Sequence, residues 1–330
     1  MIPGFVAGDI LHLVLMPTER CNFRCTYCYE DFSNGRMDRS TRQGIRRLLE
    51  RRAAGLRSLT IEWFGGEPLL ELDIIEEIQT HVQGLAARYG RLRASAGATT
   101  NGYLLTPAVL RRLVSVGVGS YQISIDGSRR EHDGKRMLAN GRGSFDRIWE
   151  NLLAARDSDL EFLFRLRVHV DRENRRALPG FLERLGSEVG GDDRFVLIVR
   201  SVDRWGGPND AALPILEGEE LAVVDELQRI ARGFGLKLSE TKEPEACYAA
   251  AANSFVIRST GEIAKCTVAL RHANNRVGRL RVDGTATIDN VKINGWVRGL
   301  FSGDPEELAC PKWGFAEDSP ARERLRVIAG

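Results

Sequence analysis

Three cysteines fall within eight residues near the start of the chain, Cys21-Asn-Phe-Arg-Cys25-Thr-Tyr-Cys28. The spacing C-x3-C-x2-C supplies three thiolates and no fourth ligand, and the nearest histidine, His12, lies nine residues upstream. A structural zinc site takes four protein ligands in a closed tetrahedron. A [4Fe–4S] cube held by three thiolates instead leaves one iron open to another molecule, and that open iron is the expected centre of chemistry. The competing reading is a zinc or redox loop.

Further motifs follow in order. Met16-Pro17-Thr18-Glu19-Arg20 leads into the cysteines and Tyr29 follows them; then come Gly65-Gly66-Glu67-Pro68, Thr100-Asn101-Gly102, Ile123-Ser124-Ile125-Asp126-Gly127, and His132, Asp133 and Arg136. In this order and spacing the chain resembles the radical S-adenosylmethionine (SAM) superfamily. The resemblance implies a SAM-binding [4Fe–4S] cluster on Cys21, Cys25 and Cys28, with SAM chelated at the open iron. It also implies that Glu67 helps hold the SAM amino group and that Ser124 and Arg136 contact its ribose or carboxylate. A planar, permanently charged guanidinium suits a carboxylate. Tyr27 stands where the family has an aromatic, so stacking near the adenine is expected. Gly65 and Gly66 let backbone approach the methionyl group with no Cβ in the way. Asp126-Gly127 reads equally well as a plain turn.

A second set of cysteines comes late: Cys247, then Gly261-Glu-Ile-Ala-Lys-Cys266, then Cys310-Pro311. This stretch resembles the SPASM extension or its shorter relative, the twitch domain, which carry auxiliary clusters. The chain ends without a further cysteine, so the resemblance implies one auxiliary [4Fe–4S] cluster on Cys247, Cys266 and Cys310. Its fourth position is expected to be open or filled by His272, Glu317 or Asp318. The competing reading is three buried structural cysteines.

The elements that must position these residues alternate. Period-2 apolar runs suggest strands at Leu11–Met16, Leu59–Phe64, Leu92–Thr100, Ser120–Asp126, Phe162–Val170 and Phe195–Val202. Helical patterns lie between and after them, at Thr41–Ala54 (capped by Ser40 or Thr41), Glu71–Tyr89, Pro107–Val116 (capped by Thr106), Phe145–Arg156, through Phe181–Leu185, and at Gly218–Phe234. Six such units predict an α/β fold with a parallel sheet. With the resemblance, they predict a partial (β/α)6 TIM-like radical SAM barrel over residues 1–235 and a small twitch/SPASM-like α+β domain over 236–330. The cysteines, Gly-Gly-Glu, Asn101 and Asp126 each end a strand, where chemistry gathers in such barrels. Alternation puts Gln122, Ser124 and Asp126 on one face of their strand and Arg165, Arg167 and His169 on one face of theirs; both faces are expected to point inward.

The 330 residues carry a net charge of +2 and 28% charged residues, which gives no electrostatic reason to expect nucleic acid. The arginine pairs at 46–47, 51–52, 111–112 and 175–176 read as solvated helix faces. There is no signal peptide and no apolar run long enough for a membrane span, and the cysteine spacing reads as metal ligands rather than disulfides. A cytoplasmic enzyme is expected, reduced by flavodoxin or ferredoxin. The resemblance implies hydrogen abstraction by a 5′-deoxyadenosyl radical, with a ribosomally made peptide or a protein as leading substrate. The alternatives are a sugar or cyclitol dehydrogenase or epimerase, and a sulfatase-type formylglycine maturase. The first strand begins close to Met1, which either weakens the peptide reading or gives leader recognition to a separate protein or to the C-terminal domain.

Overall fold

Alternating apolar residues build the sheet that carries everything else. In a computed structural model, residues 3–30, 32–239 and 246–315 are described. Six parallel strands, β1 Ile10–Thr18, β2 Ser58–Gly65, β3 Arg93–Thr100, β4 Val118–Ser124, β5 Leu163–Val170 and β6 Phe195–Ser201, hydrogen-bond in that order. The helices α1 Arg39–Ala53, α2 Leu72–Arg88, α3 Pro107–Ser115, α4 Phe145–Arg156, α5 Leu178–Val189 and α6 Glu220–Gly233 lie between and after them. This is the parallel α/β architecture that the alternation predicts.

The two faces of each strand have different fates. In β5 the residues Phe164, Leu166, Val168 and Val170 are buried in the main core, while Arg165, Arg167 and His169 face the other way and stay partly accessible. Trp63 and Ile61 of β2 and Tyr121 and Ile123 of β4 join the same core, packed with Ile45 and Leu49 of α1 and Ile74 and Ile78 of α2. Truncating a fully buried tryptophan such as Trp63 costs about 3–5 kcal/mol.

One feature differs from the sequence reading. The cap of α1 is Asp38, not Ser40 or Thr41: its carboxylate accepts from the Thr41 N–H at 2.6 Å and from the Ser40 hydroxyl at 2.8 Å, so a doubly used acceptor wins over either hydroxyl. The late segment joins the same sheet. Its strands β7 Ser254–Ile257, β8 Glu262–Ala264, β9 Gly278–Leu280 and β10 Ala286–Ile288 extend the main sheet, with β7 parallel to β1 and the rest antiparallel. The register pairs His12 with Ser254 and Leu15 with Ile257. Val14 and Met16 of β1 then pack against Val256 and Ala264 on the inner face.

Candidate functional site

The first cysteine loop leaves the carboxyl end of β1 and is tied down on every side. Glu19, almost fully buried, accepts from Arg258 Nη2 at 2.5 Å and Nε at 3.1 Å, and from Asn34 Nδ2 at 2.9 Å. Phe23–Cys25 forms a short antiparallel ribbon with Arg136–Leu138, in which Cys25 pairs with Arg136. Backbone pairing therefore sets the arginine beside the thiol. Gly65 and Gly66 are required here by close backbone packing. Gly65 has φ +119°, and a Cβ on it would lie 2.1 Å from the Thr18 carbonyl oxygen. One on Gly66 would lie 2.5 Å from that of Arg20. The close approach is between the Gly-Gly turn and the segment entering the cysteine loop.

Glu67 is fully buried, and its carboxylate accepts from Thr100 Oγ1 at 2.7 Å, Asn101 N at 2.7 Å and Leu69 N at 3.0 Å. It locks the ends of β2 and β3 together. Asn101 in turn donates from Nδ2 to Asn22 inside the cysteine loop at 2.8 Å. Ser124 ends β4 on the inner face, in register with Arg167.

Beyond β4 the chain builds a buried polar cluster. Asp126 accepts from the Tyr27 hydroxyl, from His169 N at 3.0 Å and from His169 Nδ1 at 2.9 Å. Arg136 donates to the Tyr27 hydroxyl at 2.7 Å, and its buried Nε has no acceptor among the described residues. Burial opposes the Asp126 charge, but His169 and its hydrogen bond, with Arg136 and His132, more than offset it and hold the carboxyl well below the usual range. Tyr27 thus anchors through its hydroxyl, with its ring tilted against His169 at 4.9 Å.

His132 and Asp133 hold this cluster from behind. His132 Nδ1 accepts from Asp126 N at 3.3 Å, and its Nε2 lies 3.0 Å from Ser144 Oγ, which itself donates to the Arg136 carbonyl at 2.5 Å. Those partners fix the tautomer with the proton on Nε2. Burial lowers the His132 pKa to about 4, so the ring is neutral near pH 7. Asp133 accepts from the N–H groups of Ser144 and Phe145 and so caps α4.

The late cysteines come together from three segments. Burial pushes the Cys247 thiol up to about 12, and Cys266 and Cys310 add to the shift; Cys310 is raised by burial and then by Cys266. Asn275 shapes the turn around Cys266, accepting from Lys265 N and Cys266 N at 2.9 Å each and donating to the Cys266 carbonyl at 2.8 Å. His272 accepts from Asn274 N at 3.1 Å and its ring lies 5.2 Å from Phe315; Glu317 and Asp318 fall outside the described residues.

Both thiol sets fit iron–sulfur ligation. All six thiols are free, and burial raises the pKa of each, to about 12 at Cys21 and Cys28. Several buried thiolates are costly unless a metal centre balances their charge. Backbone N–H groups of Phe23 and Val268 point at Cys21 Sγ (3.3 Å) and Cys266 Sγ (3.4 Å), donation of the kind that tunes cluster sulfurs. Among the described residues no three His, Cys, Asp or Glu side chains are placed to hold a single metal ion. Sequence reasoning did not find Arg258, Asn275 or the buried Lys135–Asp171 ion pair. The alternation in β5 did flag His169, and nothing local marks Arg258.

A parallel α/β sheet with thiols and a buried arginine at its carboxyl ends defines a class: iron–sulfur enzymes built on a partial barrel. The chain belongs to the Radical SAM superfamily, whose family profile matches residues 15–185. That membership implies a [4Fe–4S] cluster and SAM binding. The chain is 26% identical to PqqA peptide cyclase of Xanthomonas euvesicatoria over 94% of this chain and 83% of that protein. It is 27% identical to PqqA peptide cyclase of Granulibacter bethesdensis over 76% of this chain and 66% of that protein. Among solved structures it resembles anSMEcpe with bound AdoMet and Kp18Cys peptide (TM-score 0.67, 17% identity, 86% of this chain and 80% of that one). It also resembles Streptococcus suis SuiB bound to precursor peptide SuiA (TM-score 0.59, 14% identity, 90% and 67%). Among the described residues no helix is long and apolar enough to cross a membrane.

Proposed function

We propose that this radical SAM enzyme modifies a ribosomally made peptide, forming a crosslink, thioether or related linkage. The observation that carries the reading is the second thiol set, Cys247, Cys266 and Cys310, gathered on a sheet extension that hydrogen-bonds directly to β1. Similarity to peptide cyclases along most of the chain supports it. In this reading residues 1–235 hold SAM and its cluster on Cys21, Cys25 and Cys28, and residues 236–330 hold an auxiliary [4Fe–4S] cluster. When bound, the first cluster and SAM supply a 5′-deoxyadenosyl radical for hydrogen abstraction.

The chain's own residues do the positioning. Arg136, with its open Nε, meets the SAM carboxylate, and Ser124 meets the ribose or carboxylate. Tyr27 and Asp126 hold the guanidinium's orientation. Gly65 and Gly66 let the turn that Glu67 locks lie against the cysteine loop, where it presents backbone to the SAM amino group. Flavodoxin or ferredoxin delivers the electron in a cytoplasmic setting, and a separate protein recognises the peptide's leader. The test is anaerobic: reconstituted protein with SAM and reductant should yield 5′-deoxyadenosine and methionine. Co-expression with the short open reading frame nearest its gene should then change the mass of the encoded peptide. Deoxyadenosine without any peptide mass change would overturn the substrate class and leave the enzyme class standing.

A further inference from the structure

The inner face of β5 carries a cation with a buried donor left over. Arg167 lies between Arg165 and His169 on that face, and its Nη2 donates to Gln122 Oε1 on β4 at 2.8 Å. Gln122 is neutral, so this bond orients the guanidinium without balancing it. The buried Nε has no acceptor, and no carboxylate pairs with Arg167 among the described residues. Asp126 is the anion it feels, but that carboxylate already accepts from Tyr27 and from two nitrogens of His169. Arg200, the register partner of His169 on β6, adds positive charge from the other side, and Arg136 stands across the Asp126 cluster. Burial works against the Arg167 charge, and Arg200 adds to that. A cation whose buried donor is left unpaired is the signature of a site completed by an anionic ligand.

We propose that Arg167, oriented by Gln122, is a subsite for a carboxylate of the substrate, an acidic side chain or the terminal carboxylate of the peptide being modified. The owner of the carboxylate rests on the peptide reading above; the carboxylate chemistry does not. A planar fork with a free edge selects a carboxylate over the isosteric amide, because the amide would set N–H against N–H. SAM also carries a carboxylate, so the experiment must separate the two sources.

The test uses the full, cluster-reconstituted chain under anaerobic conditions, with and without saturating SAM, and measures binding by ligand-observed NMR. The probes are N-acetyl-L-glutamic acid α-amide, its glutamine counterpart, and N-acetyl-L-alanine for a terminal carboxylate. The expected result, in SAM-loaded protein, is that one carboxylate probe binds about tenfold tighter than the glutamine probe. Arg167→Gln should erase that preference while the SAM Kd changes less than twofold, and Arg167→Lys, which keeps charge without the fork, should retain part of it. The glutamate and alanine arms assign the carboxylate to a side chain or a terminus. Equal binding of acid and amide by the wild type would overturn the proposal, and that arm needs no variant to fold. Displacement of the probes by SAM, with SAM affinity lost in Arg167→Gln, would overturn it by giving the guanidinium to SAM. Because binding is read without turnover, the subsite can fail while peptide modification stands, or stand while peptide modification fails.

Discussion

The two thiol sets present the same chemistry on opposite plans. Cys21, Cys25 and Cys28 lie within eight consecutive residues, whereas Cys247, Cys266 and Cys310 span 64. The first set is local in sequence and non-local in its support: Glu19 reaches Arg258, Tyr27 reaches Asp126, and Cys25 pairs with Arg136. The second set is the reverse. Its turn is shaped by nearby groups such as Asn275, while its thiols must be gathered across three segments. A site local in sequence leaves folding little changed when its metal is lost; a site that gathers distant segments binds metal and fold together.

The largest effect should come from removing the first set. Replacing Cys21, Cys25 and Cys28 by Ala should abolish deoxyadenosine formation, cut bound iron from about eight to about four per chain, and leave the far-ultraviolet circular dichroism unchanged. Iron already near four in the wild type, with none lost on Cys266→Ala, would break the comparison by showing that only one set holds a cluster.

Acid sensitivity should sit at the first site. His132 is buried with its pKa lowered from 6.5 to about 4, so the folded state disfavours its proton. Its contribution is complete above pH 6.5 and is lost as the pH falls toward 4, by about 3 kcal/mol in all. Denaturant unfolding of wild type and His132→Gln across that window should show the slope reduced by this share. His12, shifted to about 4 by burial and then by Lys265, leaves its own share in both proteins. An unchanged slope would mean that His132 does not stay neutral.

Arg136→Ala should weaken SAM binding about 10–100-fold by calorimetry, because a charged hydrogen bond is lost inside a buried site. If the affinity holds, the SAM carboxylate has another partner.

The smallest effect sharpens the contrast between the plans. Closing a loop over 64 residues rather than eight differs by about 2 kcal/mol of chain entropy. Cys266→Ala should therefore lower the unfolding free energy of reconstituted protein by about 2 kcal/mol more than Cys25→Ala. Equal losses would place both clusters on equally local supports.

The parallel units were legible in the sequence because each strand alternates and each helix carries its own apolar stripe; Phe145–Arg156 emerges with its predicted limits. The inward face of Arg165, Arg167 and His169 followed from the same two-residue period. What was not legible depends on distance. The Glu19–Arg258 pair joins residues 239 positions apart, and nothing beside either residue announces it. The glycines at 65 and 66 were legible as glycines, but their crowding by Thr18 and Arg20 appears only once β1 and β2 are adjacent. Asp126-Gly127, readable as a turn, proved to hold a carboxylate that accepts three hydrogen bonds in the first site. The late strands were visible as short apolar pieces, while their place beside β1 was not.

That placement has a consequence for how the protein is made. β1 leaves the ribosome before every other strand among the described residues, and one of its two edges is filled by Ser254–Ile257. Until some 240 further residues have been synthesised, that edge keeps open backbone donors and acceptors, the kind of surface on which nascent chains stick to one another. Closure of the sheet and arrival of the second set of thiols therefore fall together, long after β1 is made. A chain truncated before residue 254 would lose more than its late thiols: it would carry β1 with one edge unprotected.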